Sequence, residues 1–506
     1  MTTLDTSTTA AVGRRRGRWI DDWDPENDRF WRDRGERIAR KNLLLSIITD
    51  HVGFCVWVMW TVVVINLANA GIRMSLSEQF ILTLVPNLIG SVLRIPYAFA
   101  VPRFGGRAWT TVSGAVLLVP ALLLAVVVPS RWLVHHSHPV QFWVLLACAA
   151  TAGVGGANFA SSMANISFFY PKRIKGYALG LNAAGGNLGV AVSQLVVPLV
   201  VIIGVPAAAV KVSEHRVHLA YAGWIWVPFI VVTAVLAWWH MDSLSQARAD
   251  TRSFVSALRE PHTWVLSFLY IGTFGSFIGY SFALPLVIKN SFPSFLHAHP
   301  FIGTYLGGLG FLGALVGSLS RPLGGHLSDR LGGAQMTVMM FAGMAVCTGA
   351  AIAGVNAHAF GLFLGSFLAI FLFTGMGNGS IYKLIPTVFA SEAMEAALRA
   401  PLSGDRMAIV DELKRRAAAA IGIAGAVGAL GGVGVQIVLR QASLHVSALE
   451  KAARTPAEKA AVAAAHSAWS APALWAFLFS YMMFGVVTWA VYLRQAQQTV
   501  PAPAAA

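Results

Sequence analysis

Twelve apolar stretches, each near or beyond the roughly 20 residues needed to cross a bilayer as a helix, punctuate this chain of 506 residues. They fall at about 43–69, 79–101, 108–128, 140–169, 176–203, 219–240, 263–288, 301–327, 334–356, 360–390, 417–439 and 470–493. Inside lipid a backbone must satisfy its own hydrogen bonds, so each stretch is predicted to be a helix. Charged residues make up 12% of the chain, against roughly a quarter in soluble domains. The expected fold class is an all-α membrane protein of twelve transmembrane helices.

The basic residues orient that array. With the N-terminus inside, 25 of the 37 Lys and Arg lie on cytoplasmic segments, nine on outer loops and three within spans, so both termini are expected in the cytoplasm. The same bias explains the net charge of +15 without nucleic acid as a partner. Residues 1–42 are polar and charged and lack the apolar core of a signal peptide. Cys55, Cys148 and Cys347 lie in apolar segments without metal-ligand spacing and read as small core residues. No cofactor and no metal is expected.

The polar stretch 241–261 divides the helices six and six, and the halves repeat. Arg94 and Arg103, in RIPYAFAVPRFGG, match Arg321 and Arg330, in RPLGGHLSDRLGG, at one offset of 227 residues, and each second arginine opens an Arg-x-Gly-Gly turn. LGLNAAGGNLGVAVSQ (179–194) aligns without gaps to IGIAGAVGALGGVGVQ (421–436). The predicted organisation is a charged segment at 1–42, six-helix bundles at 43–240 and 262–494 joined by a linker at 241–261, and a tail at 495–506. Ser391–Arg416 and Gln441–Ser470 have the composition of surface helices.

Arg94 and Arg321 sit in apolar sequence two to three turns from the cytoplasmic ends of their spans. A charge at that depth costs several kcal/mol or more and marks a bundle interior or a pathway. Asp50, placed at the inner end of the first window, and Asp329, in the loop after the eighth, are the acidic residues nearest a membrane segment, and neither is expected to reach the arginines. Two unpaired guanidiniums at equivalent positions repel, and a mobile anion resolves this, since the planar fork donates paired hydrogen bonds to oxyanions. The alternative is a pair of arginines that snorkel to the cytoplasmic border.

Other polar groups in the spans leave more than one reading open. Lys383 is either a pathway charge or a lysine reaching the inner surface. Asn158, Ser162, Asn165 and Phe169 share one helix face, as hydrogen-bonding glue or as pathway lining. Asn187, among glycines, is a better site candidate, and Asn182 and Tyr280 are further pathway candidates. Tyr270 and Phe274 lie four apart on one face, as packing or as part of a site. Gly180, Gly186, Gly189, Gly425 and Gly428 suggest helices that slide or bend past one another. A polytopic enzyme or receptor would need a catalytic cluster within the membrane or a sensing domain, and neither is visible in the sequence.

At GANFASSMANISFFYPKR and ALGLNAAGGNLGV, and more broadly from FCVWVMW through LRIPYAFAVPRFGGR and YIGTFGSFIGYSF to AGAVGALGG, the chain closely resembles the nitrate/nitrite porter family of the major facilitator superfamily. The resemblance implies two pseudo-symmetric six-helix halves that alternate access, in a bacterial cell membrane. It implies Arg94 and Arg321 as a clamp on the anion, Phe54, Phe159, Tyr270 and Phe274 as aromatic walls, and Asn187 as a polar contact or gate element. The expected function is exchange of nitrate inward for nitrite outward, with proton-coupled nitrate import as the alternative. The expected partners are the two anions and the lipid bilayer, with the protein a monomer.

Overall fold

The computed structural model describes residues 14–15, 18–203, 217–247, 251–399, 406–452, 454–458, 462 and 468–494. The predicted spans become α1 (Asp28–Asn66), α2 (Leu76–Phe104), α3 (Gly106–Val126), α4 (His138–Phe169), α5 (Lys172–Ile202), α6 (Ala220–His240), α7 (Pro261–Ser291), α8 (Phe311–Leu331), α9 (Gly333–Asn356), α10 (Phe360–Leu398), α11 (Arg415–Val446) and α12 (Ala471–Leu493). Eleven of these, among the described residues, are long and apolar enough to cross a membrane. The shorter, more polar α8 differs from the continuous window expected at 301–327. Pro300–Tyr305 forms its own turn, and the chain breaks at Gly307–Leu309, where Gly308 takes φ +68°. Glycine makes that left-handed conformation cheap. Of the two polar stretches read as surface helices, the first prolongs α10 to Arg399 and resumes as a helix at Arg406, and the second continues that helix to Ala452.

The helices pack as two similar groups. In the first half α1 and α2 lie against α4, and α5 lies against α1; in the second α8 and α9 lie against α10, and α11 against α7. Across the halves α2 meets α11 and α5 meets α8. Almost all of the apolar stretches of α1 and α7 are enclosed by their neighbours, so these two helices form the centre. The repeat extends to atomic packing. A Cβ on Gly90 would lie 2.8 Å from the Trp57 ring nitrogen, and one on its counterpart Gly317 would lie 2.8 Å from the Phe277 ring. Each glycine thus lets a large ring of α1 or α7 come against the neighbouring helix backbone.

The basic α4–α5 loop marks one end of the bundle. At the opposite end the halves touch through Gln194, whose amide donates to the Ser281 carbonyl at 2.5 Å, and through Lys289 on the Ile65 carbonyl; nearer the middle, Trp57 lies against Phe282 at 5.2 Å between centroids. Towards the basic end, a Cβ on Gly180 of α5, Gly325 of α8 or Gly422 of α11 would have no neighbouring atom within 4 Å.

The charged N-terminal segment folds onto the basic end. Arg14–Arg15 (β1), Trp19–Ile20 (β2) and Ser243–Leu244 (β3) form a small sheet in which β2 runs antiparallel to β1 and parallel to β3. The strands are joined around Asp242, whose buried carboxylate accepts from Arg18 Nε at 3.1 Å, Lys41 Nζ at 2.5 Å and Asn42 Nδ2 at 3.2 Å. Trp23 packs edge-on to Phe169 and Trp31 against Tyr170, so the segment covers the α4–α5 corner.

The two Arg-x-Gly-Gly turns end α2 and α8 on Gly105 (φ +85°) and Gly332 (φ +87°). Alanine strains either backbone by roughly 1–3 kcal/mol. A Cβ on Gly105 would also lie 2.7 Å from Ser243 Oγ and 2.8 Å from the Trp19 ring, whereas one on Gly332 meets nothing within 4 Å. Gly105→Ala should therefore lower the melting temperature in detergent clearly more than Gly332→Ala. Equal shifts would show that the sheet yields freely.

Candidate functional site

Asn87, Ser91 and Arg94 project from one face of α2 at i, i+4 and i+7, and all three are buried. Arg94 is 2% exposed, and its counterpart Arg321 on α8 is 5% exposed. Arg94 Nε donates to the Gly156 carbonyl of α4 at 3.2 Å, and Nη1 donates to the Gly425 carbonyl of α11 at 3.0 Å, so this side chain bridges the two halves. Arg321 Nη2 donates to the Tyr270 hydroxyl of α7 at 3.1 Å.

Aromatic faces surround both guanidiniums. The Arg94 Cζ lies 4.8 Å from the Phe159 centroid, 5.1 Å from Phe274 and 5.7 Å from Trp57. Arg321 Cζ lies 4.9 Å from Tyr382 and 5.9 Å from Phe274. Phe274 is therefore shared, and it stacks on Phe159 at 6.2 Å and 22° and on Tyr270 at 5.2 Å and 7°. The Tyr270–Phe274 pair spans a π-helical turn at Ile271–Gly275, a rare local widening of a helix that is frequent at functional sites. Each ring offers its negative face to a cation, which partly offsets the loss of water.

Some donors have no protein partner. Arg94 Nη2 and Arg321 Nη1 are buried and unbonded, and neither arginine makes an ion pair among the described residues. Both amide atoms of Asn87 and of Asn158, and the Oδ1 atoms of Asn187 and Asn378, are likewise buried and unbonded. An unsatisfied buried polar group costs about 1–3 kcal/mol, and a charged one more. The site thus presents charged N–H donors and amides, between flat apolar faces, in a form suited to a small planar oxyanion.

One expectation is corrected. Asp50, placed by sequence at the end of its span and out of reach, is 1% exposed within α1, one turn before Phe54. Asp50 lies about two turns inside the apolar window, and α5 closes over it at Gly186. Neither of its carboxylate oxygens has a hydrogen-bond partner, and Arg94 is the charge that acts on it.

The other expected residues divide. Phe54 lies edge-on to Phe159 at 6.0 Å and to Trp57 at 5.3 Å, beside the arginine pocket. Asn187 is buried on α5. Asn182 instead donates to Ser162, which also accepts from Ser46, and so ties α5 to α4 and α1. Tyr280 shares a 2.6 Å hydrogen bond with Tyr481 among the rings of Phe367, Phe371 and Phe477, within the second half. Lys383 pairs with Asp329 at 2.7 Å, with both side chains about half exposed at the basic end. Of the glycines, Gly186 and Gly189 receive Asp50 and Phe54 of α1, and Gly428 receives Tyr270 of α7. Gly425 supplies the carbonyl that Arg94 holds. Sequence reasoning missed Trp57, Tyr382, Asn87 and Asn378. Asn87 is detectable from its spacing to Arg94, and Asn378 from its place in the glycine-rich GMGNGS.

Comparison with known proteins places the chain among membrane transporters. Residues 51–434 match the model of the Major Facilitator Superfamily. The chain is 37% identical over 425 residues to the nitrate/nitrite transporter NarU of Escherichia coli (strain K12), covering 81% of this chain and 87% of that protein. It is 35% identical over 386 residues to the probable nitrate/nitrite antiporter NarK2 of Thermus thermophilus, covering 74% and 84%. The solved D-xylose–proton symporter shares its fold, with a TM-score of 0.60 at 16% identity over 89% of this chain and 97% of that one. The chain belongs to the Major Facilitator Superfamily, in its nitrate/nitrite porter family.

Trp57 is a wall whose loss is measurable without a ligand. Its Nε1 donates to the Pro86 carbonyl at 2.8 Å in the buried contact of α1 with α2. Trp57→Phe should cost about 1–3 kcal/mol, read as a lower melting temperature in detergent. Unchanged melting would show that the contact carries no stability.

Proposed function

We propose that the protein carries nitrate and nitrite across a bacterial cell membrane by alternating access, bringing nitrate in as nitrite leaves. The observation that carries this reading is the pair of buried guanidiniums, each with an unbonded N–H, set around the shared face of Phe274. In this reading a planar anion accepts from Arg94 Nη2 and Arg321 Nη1 with the Phe274 ring against its plane. Phe54, Phe159 and Tyr270 complete the apolar walls, and Asn187 contributes a polar contact. Arg94 and Arg321 are the residues that recognise charge.

Without an anion the two cations repel across the interface between the halves, which opposes closure. A bound anion offsets that repulsion, so the loaded carrier reorients more readily than the empty one, which is the condition for exchange. Both anions carry a single charge, so the exchange is electroneutral. The working units are a first bundle at 43–240 and a second at 262–494, with the termini and the 241–261 linker in the cytoplasm, and one chain suffices as the carrier. The contacts at the end opposite the basic loops then close the outer side. Lys383 lies outside the pathway in this reading, because Asp329 holds it at the surface. A second reading, proton-coupled nitrate import, is favoured by Asp50, a carboxylate within the membrane part.

Arg94→Lys and Arg321→Lys each replace a fork with a point charge and should lower nitrate/nitrite counterflow in proteoliposomes by at least roughly tenfold, a change of about 1.4 kcal/mol. Full activity in either variant would refute the clamp. Lys383→Gln should stay within about twofold of the parent in the same assay. A drop as large as those of the arginine variants would put Lys383 in the pathway.

A further inference from the structure

The internal repeat assigns Asp50 a counterpart. Asp50 and Phe54 of α1 are related to Tyr270 and Phe274 of α7 by the same step of 220 residues. The packing follows: a Cβ on Gly186 would lie 2.4 Å from Asp50 Oδ2, and one on the equivalent Gly428 would lie 2.4 Å from the Tyr270 ring. Tyr270 accepts a hydrogen bond from Arg321. Asp50 therefore occupies, in the half that carries Arg94, the place on its helix that Tyr270 occupies in the half that carries Arg321; it has an ionisable group in place of a phenol and makes no direct bond to its arginine.

The geometry points to Asp50 as a proton-binding site linked to anion occupancy: ionised, its carboxylate serves as the counter-charge of Arg94, and a bound anion drives it to take up a proton. The inference rests on the reading of Arg94 as an anion ligand. Its physical basis is the exclusion of two negative charges beside one buried cation. In alkaline solution, with the anion absent, ionised Asp50 balances part of the charge of Arg94. With the anion present, the carboxylate is the surplus charge, and a proton from solvent joins one of its oxygens. Release of the anion reverses the step. Each loaded carrier thus bears one proton with its anion, whether the return leg carries nitrite or is empty.

The surroundings leave this role to Asp50. Both of its oxygens are buried and without hydrogen-bond partners. On its own helix, His51 directs Nδ1 to the Gly185 carbonyl at 3.0 Å, and Ser46 and Thr49 do not titrate near neutrality. α5 brings Gly186, Asn182 and Asn187 to this region, and α4 brings Asn158 and Ser162, none of which titrates. α2 brings Arg94, whose own field includes Asp50, Tyr270, Tyr382 and Arg321. α3 and α6 bring Arg107 and His240, which lie at the basic end, where the Arg107 guanidinium rests on Trp238. Arg18, Lys41 and Asp242 form their own cluster there, more than two turns from Asp50 along α1.

The test is calorimetric titration of nitrate into the purified full-length protein, repeated across pH in buffers of different ionisation enthalpy to count protons. The expected result is uptake approaching one proton per anion in alkaline buffer, with affinity falling roughly tenfold per pH unit through that range. Asp50→Asn should bind nitrate with no proton uptake and little pH dependence, and Asp50→Glu should restore both. Nitrate binding by the parent protein without proton uptake at any pH would overturn this inference and leave the anion site standing. Uptake that persists in Asp50→Asn would overturn it too. Failure of the parent to bind nitrate at all would instead refute the reading of the site. If Asp50→Asn does not fold, the proton count of the parent and a shifted pH midpoint in Asp50→Glu decide the matter, and the absence of both rejects the proposal.

Discussion

Two guanidinium groups held inside apolar helices set the terms for everything around them. Desolvating each costs several kcal/mol even after relaxation, and placing them near one another adds repulsion. The structure meets this cost from several sources at once. Aromatic faces turn toward both cations, the carbonyls of Gly156 and Gly425 accept from Arg94, and the Tyr270 hydroxyl accepts from Arg321. Two of these acceptors are glycine carbonyls, on the helices that pack directly against α2. Any residue could supply these carbonyls; the packing calls for glycine at 156, where a Cβ would lie 2.3 Å from the Trp57 ring.

The repeat is the second organising fact, and its departures are as informative as its matches. Trp57 and Phe277 fill the same niche against Gly90 and Gly317. Asp50 and Tyr270 fill another, yet they differ in charge, as do the surroundings of the two arginines. Arg94 reaches across to the second half, whereas Arg321 stays with Tyr270 of its own. On the proposed reading, an anion between them would meet two unlike partners. A site at the junction of unlike halves distinguishes its two faces, which a symmetric site could not do.

Much of this was legible in the sequence, for reasons that can be traced to particular residues. Arg94 and Arg321 stand out because an arginine in an apolar run is costly and therefore rare, and the shared offset of 227 residues pairs them. The turns at Gly105 and Gly332 were equally readable, since positive φ calls for glycine. Tyr382 was not, because one ring among 29 Phe and 10 Tyr carries no signal until a partner is known. Asp50 was misplaced for a different reason. Hydropathy locates a residue along its helix but not the neighbours packed around it, and Asp50 is enclosed by α5 at Gly186. Lys383 was readable either way from its apolar neighbours, and its pairing with Asp329, half exposed, puts it at the surface.

The N-terminal sheet bears on how the halves are tied together. By composition the connection between them begins at Met241, directly after α6. In the folded chain Asp242 is clamped by Arg18, Lys41 and Asn42, and Ser243–Leu244 is paired with Trp19–Ile20, so these residues travel with the first half as part of its rigid body. The slack available for rocking is shorter than the polar stretch suggests. A segment from the start of the chain thereby sets the length of a tether more than two hundred residues away.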